Sequence, residues 1–223
     1  MTLNDLIILF GIETRDTVEP YLFPVDERMM WLDEAVEEAC LRKNLLFDDS
    51  TAAICTIDVT TPTYSYDLHE AINHITEAHL IVGTEYFYLN LVSRDELDQI
   101  RPGWREDSVD EPKYLVVDEN SVRLVPPPAN DGTLQLEVYR VPVESEYMSV
   151  SSGKVPVIAA THHKWLVHWA VFKALGRPDA DYYHPEGAQK ALNAFENYFG
   201  RRPDADRLRK TRENRPHRNK LWI

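Results

Sequence analysis

Three histidines stand close together in this 223-residue chain, His162, His163 and His168, and their side chains are the first that suggest chemistry. Ligands on one helix share a face only at spacings of three or four. These three are separated by one, five and six positions, so the spacing argues against a metal centre. Two acidic groups, Asp95/Glu96/Asp98 and Asp107/Asp110/Glu111, offer oxygen atoms for a hard cation but lack the ordered loop pattern of a calcium site. They read as a solvated acidic face. A metal-dependent hydrolase built on them would lose its turnover on chelation or on mutation of Asp95 and Asp98, and nothing in the spacing supports one. There is no glycine-rich phosphate loop, nucleophile elbow, paired-cysteine spacing or HExxH. No catalytic site, metal or cofactor is expected, and no enzyme. Trp104, isolated in IRPGWRED, reads either as an anchor for a partner or as a cover over neighbouring strands.

Charge carries more information than any motif. The chain has a net charge of −13. Residues 201–223 hold nine Lys or Arg against Asp204, Asp206 and Glu213, a net of +6, which leaves −19 on residues 1–200. An acidic body with a basic arm is a poor footprint for a protein that coats DNA over its whole surface. The arm has three readings: a solvated end, a nucleic-acid-binding arm, or a docking arm that orders on a protein partner. Its apolar Leu221-Trp222-Ile223 favours the third, because an apolar end suits a groove better than a phosphate backbone.

The elements that must position these residues follow from periodicity. The most apolar stretch is VPVIAATHHKWLVHWAVFKALG, residues 155–176. Ile158, His162, Trp165, Trp169 and Phe172 recur at spacings of three or four, one stripe of a helix near 156–175. Pro156 suits its first turn and Gly176 its end. A helix this apolar belongs at the centre of a bundle. Leu3, Leu6, Ile7 and Phe10 predict a short helix near 2–10 behind a Thr2–Asp5 capping box. Leu32, Val36, Ala39 and Cys40 predict a second near 26–45 capped by Asp26, with Leu46 and Phe47 closing its end against the core. Ala188, Leu192, Phe195 and Phe199 predict a fourth near 185–199.

Between them the period changes to two. Cys55, Ile57 and Val59 alternate, as do Tyr64, Tyr66 and Leu68. Residues 75–82 and 86–92 flank Gly83-Thr84-Glu85 as a hairpin, Ser93 caps a short helix, and strands follow near 114–117, 122–125 and 134–138. Val143 to Lys154 reads as a long exposed loop. The class is α+β: a helical bundle from 1–53 and 143–200, an inserted and mostly antiparallel β domain at 54–142, and a docking arm at 201–223. Cys40 and Cys55, in a predicted helix and strand, read as reduced core thiols of a cytosolic protein. No apolar run approaches the roughly 20 residues of a membrane span, and MTLNDLIILFG does not read as a signal peptide.

These segments, in this order, resemble the head-to-tail adaptor (connector) proteins of tailed bacteriophages, including the tail tubular protein A type. The resemblance covers nearly the whole chain. It rests on TLNDLI, WLDEAVEEACLRKNLLFDD, ICTIDVTTPTYSYDL, SRDELDQIRPGW, EPKYLVVDENSVRLVPPPANDGTLQLEVYRVP, HHKWLVHWAVFKAL, DADYYHPEGAQKALNAFENYFG and RRPDADRLRKTREN. Two features depart from the pattern: VPVIAATHH has no acids around its proline, and the turn before Tyr64 has no glycine. The resemblance implies a structural virion protein of the neck, assembled in the host cytoplasm. Such adaptors form a ring, typically of twelve copies, that binds the portal protein, extends the DNA channel and meets the next neck or tail protein. Double-stranded DNA would pass through without sequence-specific binding, and no membrane is involved. The family docks to the portal through its C-terminal segment, which makes Arg207, Arg209, Lys210, Arg212, Arg215, Arg218 and Trp222 the candidate portal contacts. Ring contacts are heterologous, and the β layer and the 143–154 loop are the expected suppliers. The alternatives are a tail-side ring protein of tail-tube or terminator type, or a nucleic-acid-binding protein working through its arm.

Overall fold

Apolar spacings of three and four produce helices at both ends of the chain, and a two-residue alternation produces strands between them. The fold is α+β. The computed structural model describes residues 1–151, 153–178 and 182–203. Along the chain run α1 (Leu3–Thr14), α2 (Val25–Lys43), β1 (Leu46–Asp48), α3 (Ala52–Cys55), β2 (Thr56–Val59), β3 (Ser65–Asp67), β4 (Ile72–Val82), β5 (Glu85–Tyr88), β6 (Asn90–Val92), α4 (Arg94–Ile100), β7 (Tyr114–Val117), β8 (Ser121–Val125), β9 (Gly132–Arg140), α5 (His163–Leu175) and α6 (Pro185–Phe199). Two compact units result. Met1–Leu46 with Arg140–Arg202 makes the helical unit, and Phe47–Tyr139 makes the β unit.

In the helical unit α5 lies against α1, α2 and α6. Leu6, Phe10, Trp31, Leu32, Leu166, Ala170 and Phe195 are wholly or almost wholly buried in its core. α1 opens on the capping box: the Asp5 N–H donates to the Thr2 hydroxyl, and the Thr2 N–H donates to the Asp5 carboxylate at 2.8 Å. It continues past residue 10 to Thr14. Gly11 lets the chain after the helix return close by, since a Cβ there would come within 2.9 Å of the Asp16 carbonyl oxygen. The connection that follows is fixed by the buried Asp16 carboxylate, which accepts the Leu22 and Phe23 N–H groups at 2.9 Å and an Arg28 Nη at 2.6 Å. α2 begins at Val25 behind Pro24, so Asp26 is not its cap; Asp26 and Glu27 place negative charge in its first turn instead.

α5 starts later than its apolar pattern implies. Residues 156–159 are not helical, Ala160–His162 form a 3-10 turn, and the α-helix begins at His163. The buried His163 ring explains the delay. Its Nε2 engages the Ile158 carbonyl at 2.9 Å, which a helix begun at Pro156 would offer to the His162 N–H; that N–H donates to Ala159 at 3.0 Å instead. The predicted stripe is therefore divided. Ile158 is buried from the segment before the helix, Trp169 is buried within it, and His162, Trp165 and Phe172 are half-buried. Their face meets α6: Trp165 stacks on Tyr198 with centroids 4.5 Å apart, and Trp169 lies 5.2 Å from Phe195. The fully buried stripe is one step around the helix, Leu166, Ala170 and Ala174.

Within the expected 143–154 loop, residues 143–149 are fastened rather than free. Glu144–Glu146 form a 3-10 turn, and the Glu146 carboxylate takes both Arg140 Nη groups at 2.6 and 2.8 Å. Asp33 on α2 accepts the Met148 N–H at 2.7 Å, the Ser149 N–H at 3.2 Å and the Ser149 hydroxyl. Met148 is buried in the helical core.

The β unit holds two sheets. One runs β1-β9-β4-β5, with β2 also paired to β9; the other runs β3-β8-β7-β6. β6 and β7 are parallel, while β2–β9, β3–β8, β4–β5 and β7–β8 are antiparallel. Val82 faces Glu85, which leaves Gly83-Thr84 as a two-residue turn, with Gly83 at φ +61° as such a turn requires. The single strand expected over 86–92 is split. Leu89 donates its N–H to Ala78 in the first sheet at 3.0 Å, and Asn90 donates to Lys113 beside the second at 2.9 Å. Cys55 is not in a strand but closes α3, and β2 begins at Thr56. Phe47 does not close the end of α2; it lies exposed on β1 with its ring 5.6 Å from Tyr139. The turn before Tyr64 manages without glycine because the Tyr66 hydroxyl ties it together, donating to the Thr63 carbonyl at 2.6 Å.

Candidate interaction surfaces and the root of the arm

The basic arm leaves the helical unit at a tightly held point. α6 ends at Gly200, and the carbonyls of its last turn look for cations. Two residues from the last turn of α2 supply them. Arg42 donates to the Gly200 carbonyl at 3.1 Å, and the Lys43 Nζ donates to the Tyr198 carbonyl at 3.0 Å. Arg42 also pairs with Glu38 at 3.0 Å and Glu196 at 3.4 Å, and lies over the rings of Trp169 and Phe195. The first two arginines of the arm fold back onto the same carboxylates: Arg201 lies 3.7 Å from Glu196, and Arg202 lies 3.4 Å from Glu38. Beside them, burial and then the charges of Glu38 and Glu34 push the Glu37 carboxyl above its usual range. The arm thus begins from interleaved carboxylates and cations of the helix pair. Arg207, Arg209, Lys210, Arg212, Arg215, Arg218 and Trp222 lie outside the described residues.

Asp98 and Asp107 of the acidic clusters are used within the chain, while Asp95, Asp110 and Glu111 are exposed. Trp104 is 1% exposed and covers one face of the second sheet with Val92, Leu97, Val116 and Val125. Its indole N–H donates to Asp98 at 2.7 Å, and Arg105 donates to the same carboxylate. The bond from Arg105, then that from Trp104, holds the Asp98 carboxyl below the usual carboxylate range. Arg101 donates to Asp107 at 3.2 Å, and Asp95 and Glu96 lie in the first turn of α4 behind the Ser93 cap. Trp104 is therefore a cover, and it is not available as an exposed anchor. The three histidines are likewise spread: His163 is buried among carbonyls, the His162 Nδ1 lies 3.1 Å from the Tyr198 hydroxyl, and the His168 ring lies 5.6 Å from Trp165.

The β unit exposes one aromatic edge. β5 is the last strand of its sheet, and Tyr86 and Tyr88 on it are 62% and 76% exposed. They share a face with His79, whose ring lies 5.7 and 6.0 Å from theirs. An exposed strand edge carrying two tyrosines is unusual on a monomer and ordinary at an interface.

A family model described as SU10 adaptor protein matches residues 1–219. The chain belongs to this family of phage head–tail adaptors. No curated protein matches it. The SU10 adaptor family is structural and works in association with other head and tail components of the phage, at the neck of the virion. In this adaptor, the geometry that matters is that of surfaces and attachment points. Residue types and spacing mark out the arm but not its root. Arg42 and Lys43 look like ordinary cations in the last turn of α2, and nothing local says that the carbonyls they serve lie about 155 residues away.

Proposed function

We propose that the protein forms a ring, of about twelve copies as in related neck rings, that binds the portal through its basic arm and extends the DNA channel toward the tail. The observation that carries this reading is the arm root. A segment of net charge +6 begins at a fixed point on the helical unit, while the residues before it total −19. An arm of this charge suits attachment to an acidic partner surface. Arg207, Arg209, Lys210, Arg212, Arg215, Arg218 and Trp222 make the portal contacts in this reading. The acidic body supports a channel that does not hold DNA, since like charge repels the phosphate backbone. The β5 edge supports contact between neighbours in the ring, because its open N–H and C=O groups and its two tyrosines favour a strand-edge partner. A ring protein on the tail side would lack portal affinity.

Co-sedimentation with the phage's portal ring tests this. The full chain is expected to join the portal, and a chain without residues 201–223 to stay in solution. Binding by both removes the docking role of the arm. Binding by neither removes the portal-side position and leaves a tail-side ring.

A further inference from the structure

Arg123 sits on β8, on the sheet face that Trp104 covers, and its guanidinium lies close to two rings, one of which, Trp104, also carries Arg105. The carbon at its centre lies 4.8 Å from the Trp104 centroid and 4.2 Å from that of Tyr64. Its Nε is buried without a hydrogen-bond partner, and among the described residues no Asp or Glu pairs with it. Neighbouring arginines differ. Arg94 holds Asp118, Arg101 holds Asp107 and Arg105 holds Asp98. Each of those cations has an acid from this chain, whereas Arg123 has two aromatic faces. Rings lying over a guanidinium leave the N–H groups of its edge for an acceptor, and with Nε buried these are the terminal Nη groups. Such an edge matches the paired oxygens of a carboxylate or phosphate through parallel N–H···O bonds. Tyr64 is 43% exposed, so the clamp reaches the surface. Arg and Tyr are also the residue types that dominate interface energetics.

We propose that Arg123 receives a carboxylate from a second copy of the chain. Charge selects this partner over nucleic acid. Residues 1–200 carry −19, which repels phosphate and surrounds every copy with the carboxylates of its neighbours. The contact is heterologous, arginine on one copy and acid on the next, as ring closure demands. The proposal rests on the ring reading above and names one contact that holds the ring together.

The test compares assembly of the wild-type chain with Arg123→Met and Arg123→Lys, by light scattering across a concentration series, with and without the portal ring. The Met variant is expected to keep its circular dichroism and to need at least tenfold more protein to assemble. The Lys variant keeps the charge but loses the planar edge, and is expected to recover only part of the loss. Assembly of the Met variant at wild-type concentration overturns the role of Arg123 and leaves the ring intact. A wild-type chain that never assembles overturns the ring first, a distinguishable result. Should the Met variant not fold, phenylglyoxal labelling of the wild-type chain decides. Arg123 is expected to react in single copies and to be protected in rings. Equal reactivity in both overturns the proposal, as does protection by double-stranded DNA without assembly.

Discussion

Asp98 shows how a single carboxylate decides the role of its neighbours. From the sequence, Asp95, Glu96 and Asp98 read as a solvated acidic face, and Trp104 has two open readings. The residue six positions before Trp104 settles the second, since Asp98 accepts the indole N–H at 2.7 Å while the ring packs under Val116 and Val125, and Asp95 and Asp98 stay exposed. Residue types alone hide this, because α4 and the bend at Pro102-Gly103 must first bring the two together. Trp104→Ala is expected to cost about 3–5 kcal/mol, as loss of a wholly buried tryptophan does, read from chemical denaturation of the full chain. The Asp98 carboxyl is depressed in the folded state. Its contribution is thus complete above the ordinary carboxylate value of about 4 and fades as pH falls through the lowered one. An acid titration followed by tryptophan fluorescence is expected to show that transition, and Asp98→Asn to lack it.

At the scale of elements, periodicity locates α2, α4, α6 and, in the second sheet, β7 and β8 well, because apolar runs there have clear ends. It fails where a side chain competes with the backbone. The His163 ring takes a carbonyl from the would-be first turn of α5, and Leu89 hands one strand from sheet to sheet without any change of alternation. The 143–154 segment fails for a third reason: its anchor, Asp33, lies about 115 residues away on α2. Asp33→Ala removes the acceptor for two backbone N–H groups. The buried Met148 N–H is the costlier loss, roughly 1–3 kcal/mol for an unsatisfied donor. The variant is expected to unfold at lower temperature and to exchange the Met148 and Ser149 amide hydrogens faster, while those of the β unit keep their protection.

The whole molecule is governed by an uneven charge. Composition alone makes the acidic body and basic arm legible, whereas the point where the arm is fixed depends on the meeting of α2 and α6, which no local pattern announces. The two charges respond to salt in opposite directions. Screening shortens the reach of charge from about 30 Å at 0.01 M to about 8 Å at 0.15 M. Raising salt over that range is expected to raise the melting temperature of the chain, by easing repulsion within a body at −19, and to weaken its capture by the portal ring. Capture that holds constant while the melting temperature rises would separate the arm's charge from portal attachment. The strand that changes sheets at Leu89 also matters mechanically. A pull on the tyrosine edge of β5 travels along one uninterrupted backbone into β6, through a single peptide link between two hydrogen-bonded ladders. Load placed on either sheet is thus expected to reach the other, with the β unit yielding as one piece of cloth and not as two plies in a pulling experiment.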